Sequence, residues 1–456
     1  MNALIGFGSP LVTSLWFASL VLVLGWLIHQ LLRYRLVTYL SSIVFFAFFL
    51  PIILQYPFVF SPINGLTIGP ANYASYLAHV DPAFLITMAG FVMLVAGFLL
   101  CGSRGAEFGP MTWVASSLRA WTQSVFLQLS SIFILVLFGL LFALGLVGAG
   151  GARNIAQSVP ALRPLYNIAH ILLPLTIALD LYAGIQHRRR GMLILALVNV
   201  ALAVLTGART VALGGLLLFA MAALVHASLL RRLSVGRVLK VIPAGIAVLI
   251  AAMYLGDVRE GQYNLLRTIA TLGIKLFYGN NFSDLRDFAW VRSYWDGTYF
   301  LGKTQVAGLM AFIPSVISSF RAEWNWGVVT TTIAGLDPLV NPGLRAGVFG
   351  EMYFNFGLPG VLLSGLIYGY IIRRAHNATM HAVRTLGSDP ARLRVLAGLV
   401  TLNLVGGLLN TAGFFGFYVT LAVLAGVQLL DYMIRTVRGT GVGALASSPA
   451  GNPPAP

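Results

Sequence analysis

VFLQLSSIFILVLFGLLFALGLV, Val125 to Val147, is a run of 23 residues without one Asp, Glu, Lys or Arg. Wound as an α-helix it is about 34 Å long, enough to cross the ~30 Å hydrocarbon core of a bilayer. Lipid offers no partner to a main-chain N–H or C=O, so such a run must bond within itself, as a helix. Gly148-Ala-Gly-Gly151 ends it. The same reading repeats outward. Spans are expected at about Leu11 to Leu32, Leu36 to Tyr56 (stopped by Pro57 and Pro62), Pro82 onward, Leu165 to Gly184, and from the following basic cluster to Thr206. Further spans start near Thr210 and cover Val241 to Leu255, Gly347 to Ile372, Val395 to Leu409 and Phe414 to Met433. A short interfacial helix is expected between Cys101 and Thr122.

The bulk numbers agree. The 456-residue chain is 58% hydrophobic and 9% charged, against roughly 25% charged in a soluble domain. The class is an all-α polytopic integral membrane protein of about eleven or twelve transmembrane helices. A formal charge of +16 does not mark a nucleic-acid binder here, because the bases form short clusters between apolar runs, the pattern that orients a membrane protein. The single cysteine, Cys101, excludes a disulfide framework or a cysteine metal site. The first apolar run is too long for a signal-peptide core and reads as a retained helix.

Charge also sets the expected orientation. Eleven spans with the N-terminus outside place 18 Lys and Arg on the cytoplasmic side and 11 outside, of the 29 in the chain. Eight of those 11 fall in one long segment, and long translocated segments escape the bias. The expectation is a single transmembrane domain over residues 1–438, holding a large extracytoplasmic loop at 257–346. A cytoplasmic tail at 439–456, rich in Gly, Ser and Pro, should be unstructured.

That loop is where chemistry is expected. Eight of the 13 acids lie between Asp257 and Glu351, together with eight bases and a crowd of aromatics such as Trp290, Trp295 and Tyr299. Mixed charge beside exposed rings suits an extended polar ligand such as a glycan. Val306, Leu309, Met310, Ile313, Val316, Ile317 and Phe320 recur at helical spacing, which predicts one amphipathic helix with Pro314 inside it. Were it a span, the basic segment Arg373 to Arg394 would move to the opposite face.

Within this frame several side chains stand out. Arg209 sits in a three-residue turn between two spans, where a guanidinium either grips a lipid-linked phosphate or snorkels and caps a helix end. His170 lies inside a span as a base, a ligand or a packing residue. Asp180, further along the same helix, is expected to pair with the cluster His187 to Arg190. Arg321-Ala-Glu323-Trp324-Asn-Trp326 joins a cation, a carboxylate and two rings, fit either for stacking sugars or for anchoring at the interface. Glu351 and Asn355, four apart, share a helix face; Glu351 either caps the helix start or orients a sugar hydroxyl. No Asp-x-Asp pair, Walker A loop or His-Glu-x-x-His helix occurs, so neither a metal nor a cofactor is expected.

Three segments carry a family resemblance: Thr206-Gly-Ala-Arg209-Thr210; Tyr299-Phe-Leu-Gly302-Lys303-Thr304 with Phe312-Ile-Pro314 and Arg321; and Gly350-Glu351-Met-Tyr353-Phe-Asn355-Phe-Gly357-Leu-Pro-Gly360. They resemble the bacterial O-antigen or oligosaccharide repeat-unit polymerases of the Wzy type, relatives of the O-antigen ligases. The resemblance implies a metal-independent glycosyltransferase at the periplasmic face of the inner membrane. It would pass a growing glycan from undecaprenyl diphosphate to a new lipid-linked repeat unit, alongside membrane lipids and a chain-length regulator. Arg209, Arg321 and Arg345 would steady the diphosphate, and Glu351 or Glu323 would handle the acceptor hydroxyl. Lys303, His170, Trp324, Trp326, Tyr353 and Asn355 would line the substrate path. The ligase is a rival reading, set back by the lack of a histidine between Asp257 and Glu351. A lipid-linked glycan flippase is the rival from another class, set back by the scarcity of midplane charge and of internal repeats.

Overall fold

The computed structural model describes residues 6–32, 44–60, 73–102, 107–147, 162–206, 209–229, 264–272, 283–314, 316–338, 343–385, 388–409 and 413–445, with scattered residues of 236–254. The span expected at Val241 to Leu255 therefore lies largely outside the described residues, as do Arg153 and the turn residues Gly207 and Ala208.

The described elements are helical. They are α1 (Pro10–Leu32), a π-helix (Val44–Leu54), α2 (Tyr56–Val59), α3 (Tyr73–Leu100), α4 (Gly109–Gln123), α5 (Val125–Val147), α6 (Leu162–Gln186), α7 (Arg190–Leu205) and α8 (Arg209–Leu229). After them come α9 (Leu265–Ala270), α10 (Asp284–Tyr294), α11 (Lys303–Leu309), α12 (Ser319–Glu323), α13 (Trp326–Ile333), α14 (Gly347–Thr385), α15 (Ser388–Leu409) and α16 (Phe414–Leu445). Among the described residues seven helices are long and apolar enough to cross a membrane, and Arg190–Leu205 and Val211–Ala227 are shorter apolar helices. Large side chains such as Leu22 (71% exposed) and Leu99 (73%) line their outsides. In water that surface would be a liability; in lipid it is the solvated one. The protein is an all-α membrane protein.

Several boundaries differ from the sequence reading. Pro57 does not stop a helix but sits in the first turn of α2, where its missing N–H costs nothing. Helix α3 starts nine residues before Pro82, which lies inside it. The amphipathic helix expected through Pro314 is instead two short helices, α11 and α12, separated by turns. Pro314 supplies no donor and restrains the residue before it, so the apolar spacing was real but the backbone could not carry it. Helix α14 continues through Arg373, Arg374 and Arg384 to Thr385, and α16 reaches Leu445, into the stretch expected to be unstructured.

The helices group into two compact units. Residues 1–108 and 220–417 make the first, and 109–219 with 418–456 the second. In the first, α14 lies against α3 through glycines. A Cβ on Gly365 would strike the carbonyl of Gly90, and one on Gly369 that of Leu94. Small residues let two backbones approach this closely in a membrane, where packing rather than water drives association. Asp81 in α3 accepts from the Tyr56 hydroxyl and the Ser9 N–H, both at 2.7 Å, fixing the start of α1. In the second unit Ile134, Phe138, Leu141, Leu173 and Ile177 form the apolar core of α5 and α6.

Candidate functional site

The site is built around a break in α14. Gly357 adopts φ 66° and ψ −160° inside the helix, a backbone region essentially reserved for glycine. Two residues on, Pro359 has no N–H to donate to the carbonyl four residues back. The carbonyls of Phe354 and Asn355 consequently turn outward and accept from the N–H groups of Phe300 and Leu301, at 2.9 and 3.0 Å. A far segment of chain thus completes the helix. Leu301 (φ 51°) and Gly302 (φ 84°) make the tight corner that allows it, and the Gly302 N–H donates to Asn355 Oδ1 at 3.2 Å.

The corner delivers Thr304 onto Glu351. The Thr304 hydroxyl donates to Glu351 Oε1 at 3.1 Å and accepts from Asn355 Nδ2 at 2.8 Å, and that same amide also reaches the Glu351 carbonyl at 2.9 Å. Glu351, Asn355 and Thr304 are all fully buried. Glu351 and Asn355 do share a face, as the spacing predicts. Their joint product is a held turn, and the Glu351 carboxylate has no solvent-facing surface.

Around this network lies a shell of rings. Trp295 packs edge-on against Tyr299, Tyr353 and Phe354 with centroids 5.1–5.7 Å apart. Phe300 meets Trp324 at 5.8 Å, and Trp326 lies 5.9 Å from Phe354. Tyr299 remains 43% exposed, whereas Trp290, expected among the exposed rings, is buried to 1% in the core. Two cations join the rings: Lys303 Nζ stands 4.3 Å over Trp324, and the Arg292 guanidinium 5.6 Å over Tyr353. Arg292 Nη1 and His79 Nδ1 are buried with no hydrogen-bond partner among the described residues.

No family model, curated protein or solved structure matches the chain. The site's own geometry therefore carries the argument.

The structure brings together Lys303, Trp324, Trp326, Tyr353, Glu351 and Asn355. Glu323 is exposed, immediately before Trp324. Arg321 is turned away: its Nη1 donates to the Ile313 carbonyl, closing the turns between α11 and α12. Arg345 is exposed, while its main-chain N–H donates to Asp287 Oδ2 at 2.9 Å. His170, in the second unit, lies 5.5 Å from Tyr166 within α6, the two rings tilted by 38°. Arg209 begins α8, also in the second unit, and its side chain lies outside the described residues.

Helix α10 supports the site from below. Arg286 and Asp287, which read as loop charges, are 2% and 3% exposed and form a 2.7 Å ion pair. Asp287 Oδ2 also accepts from the Ser283 hydroxyl at 2.7 Å. Burial, then the Asp287 carboxylate, push neighbouring Asp284 up to about 6, against the pull of Arg345. Arg292 closes this helix toward the rings. The sequence reading missed Arg292 and Thr304 as site residues. Both sit among other polar residues, where nothing local separates a solvated side chain from a docked one.

Proposed function

We propose that this protein is a glycosyltransferase that polymerises lipid-linked oligosaccharide repeat units at the outer face of the membrane. One observation carries the reading. Tyr353 packs with Trp295 and the exposed Tyr299, and over its ring stands Arg292, a cation whose buried Nη1 has no hydrogen-bond partner among the described residues. Sugars stack on such rings through their apolar faces, and a guanidinium takes a diphosphate bidentately.

In this scheme the acceptor hydroxyl attacks the anomeric carbon of the donor glycan. The bond to the diphosphate oxygen breaks, undecaprenyl diphosphate leaves, and the hydroxyl proton passes to a carboxylate. Glu323, exposed and immediately before Trp324, fits that part. Glu351 acts as a positioning residue, holding Thr304 and with it the corner that presents Lys303. Arg292 and Lys303 stand for the cations that steady the departing charge, in place of Arg321. Eleven or twelve spans, the periplasmic face and the role of Arg209 belong to the same proposal.

A buried intramembrane acid, Asp180, favours the transporter as a second reading. One experiment separates the two. Purified protein incubated with lipid-linked repeat units should yield a ladder of longer glycans, slowed by about 10² or more in Glu323→Gln or Arg292→Ala. A ladder unchanged in both variants would remove this site from the reaction. No ladder at all, with lipid-linked glycan crossing vesicles instead, would put the transporter first.

A further inference from the structure

Asp180 does not pair with the basic cluster at the end of its helix. Arg189 Nη1 donates instead to the Thr122 carbonyl at 3.3 Å. Asp180 is fully buried in α6, and among the described residues its carboxylate is partnered by Ser131 of α5, whose hydroxyl lies 2.9 and 2.7 Å from Oδ1 and Oδ2. A hydroxyl has one proton, so it can serve only one of those oxygens at a time.

Two further groups complete the cluster. Asn199 of α7 donates through Nδ2 to the Ser131 carbonyl at 3.2 Å, which places its amide beside the same residue. Thr176 precedes Asp180 by one turn on the same face of α6. Ser131, Thr176 and Asn199 are each fully buried. Among the described residues, Asn199 Oδ1 and Thr176 Oγ1 have no hydrogen-bond partner. An ionised carboxylate in such surroundings is costly unless a positive charge joins it, and orphaned buried oxygens add to that cost.

We propose that Asp180, Ser131, Thr176 and Asn199 form an intramembrane binding site for a sodium ion. One carboxylate and three neutral oxygens make a hard, all-oxygen donor set of net charge −1. A monovalent cation neutralises it, whereas a divalent ion would leave a positive charge stranded in hydrocarbon. Among the described residues no group of three or more His, Cys, Asp or Glu gathers to hold such an ion. The bound ion would satisfy both orphaned oxygens and tie α5, α6 and α7 together. All four residues lie in the second unit, so the site stands or falls apart from the glycan reading.

The test is thermal unfolding of the full chain in detergent at about pH 8, in sodium, potassium or choline chloride at equal ionic strength. Sodium alone should raise Tm, by about 2–4 °C at saturation. Thr176→Val keeps the side-chain shape and removes one oxygen, so it should move the sodium midpoint to about tenfold higher concentration. Asp180→Asn should abolish the response. Equal Tm values in the three salts, an unmoved midpoint in Thr176→Val, or a response retained by Asp180→Asn would each overturn the site. So would a stabilisation that follows acid rather than sodium, which would assign the cluster a proton.

Discussion

At the scale of single residues, the segment from Ser283 to Arg345 rests on a buried charge group. Asp287 has both oxygens occupied, by Arg286 on one side and by Ser283 and the Arg345 N–H on the other. Asp284 beside it has no such set, and burial lifts its carboxyl to about 6. In the unfolded chain an aspartate titrates near ~3.9. A raised value means that the native state holds the proton more tightly. Its contribution to stability is therefore whole below about 4 and vanishes as the pH rises through 6. Tm followed across that interval should fall toward neutral pH, and Asp284→Asn should flatten the fall; an identical slope in the variant would assign the titration elsewhere. These two acids also mark where sequence alone runs out. Glu351, Asn355 and the Trp324 segment were legible because polar and aromatic residues between apolar runs demand a reason. Asp284, Arg286, Asp287 and Arg292 alternate in sign along a short helix, which locally describes a solvated face. Only docking on distant helices buries Arg286 and Asp287.

Among the elements, α14 shows why helix existence was easier to read than helix form. Its apolar run, its polar start at Glu351 and its partnership with Asn355 follow from 3.6-residue periodicity. The break at Gly357 does not, because glycine and proline inside an apolar run also occur in helices that merely bend. The geometry decides the matter. A Cβ at Gly357 would lie 3.2 Å from the Tyr299 hydroxyl, and the φ of 66° is strained for any other residue. Gly357→Ala should cost about 1–3 kcal/mol, seen as a lower Tm, and should release the corner at Leu301 and Gly302 so that proteolysis between α10 and α11 accelerates. Unchanged Tm and cleavage would mean that the break is incidental. The divided α11–α12 segment was beyond the same periodicity argument, since Pro314 lies between the two helices.

For the whole molecule, composition was sufficient to assign an all-α membrane protein, because uncharged apolar runs of about 20 residues must satisfy their polar main-chain groups within themselves, as helices. Charge distribution supplies the expected orientation, and labelling tests it. With Cys101→Ser as background, Glu323→Cys should react with a membrane-impermeant maleimide in intact cells, while Arg384→Cys should react only after lysis. The reverse pattern would put the aromatic site in the cytosol and end the proposed chemistry there. The crossing of chain at the α14 break has a mechanical corollary. Lifting the Phe300–Thr304 strap would strip four oxygens of a donor at once, the Phe354 and Asn355 carbonyls, Asn355 Oδ1 and Glu351 Oε1, at about 1–3 kcal/mol each. A ligand that pries this strap up must compensate that loss, so the strap behaves as a spring-loaded latch whose catch is machined into α14 itself.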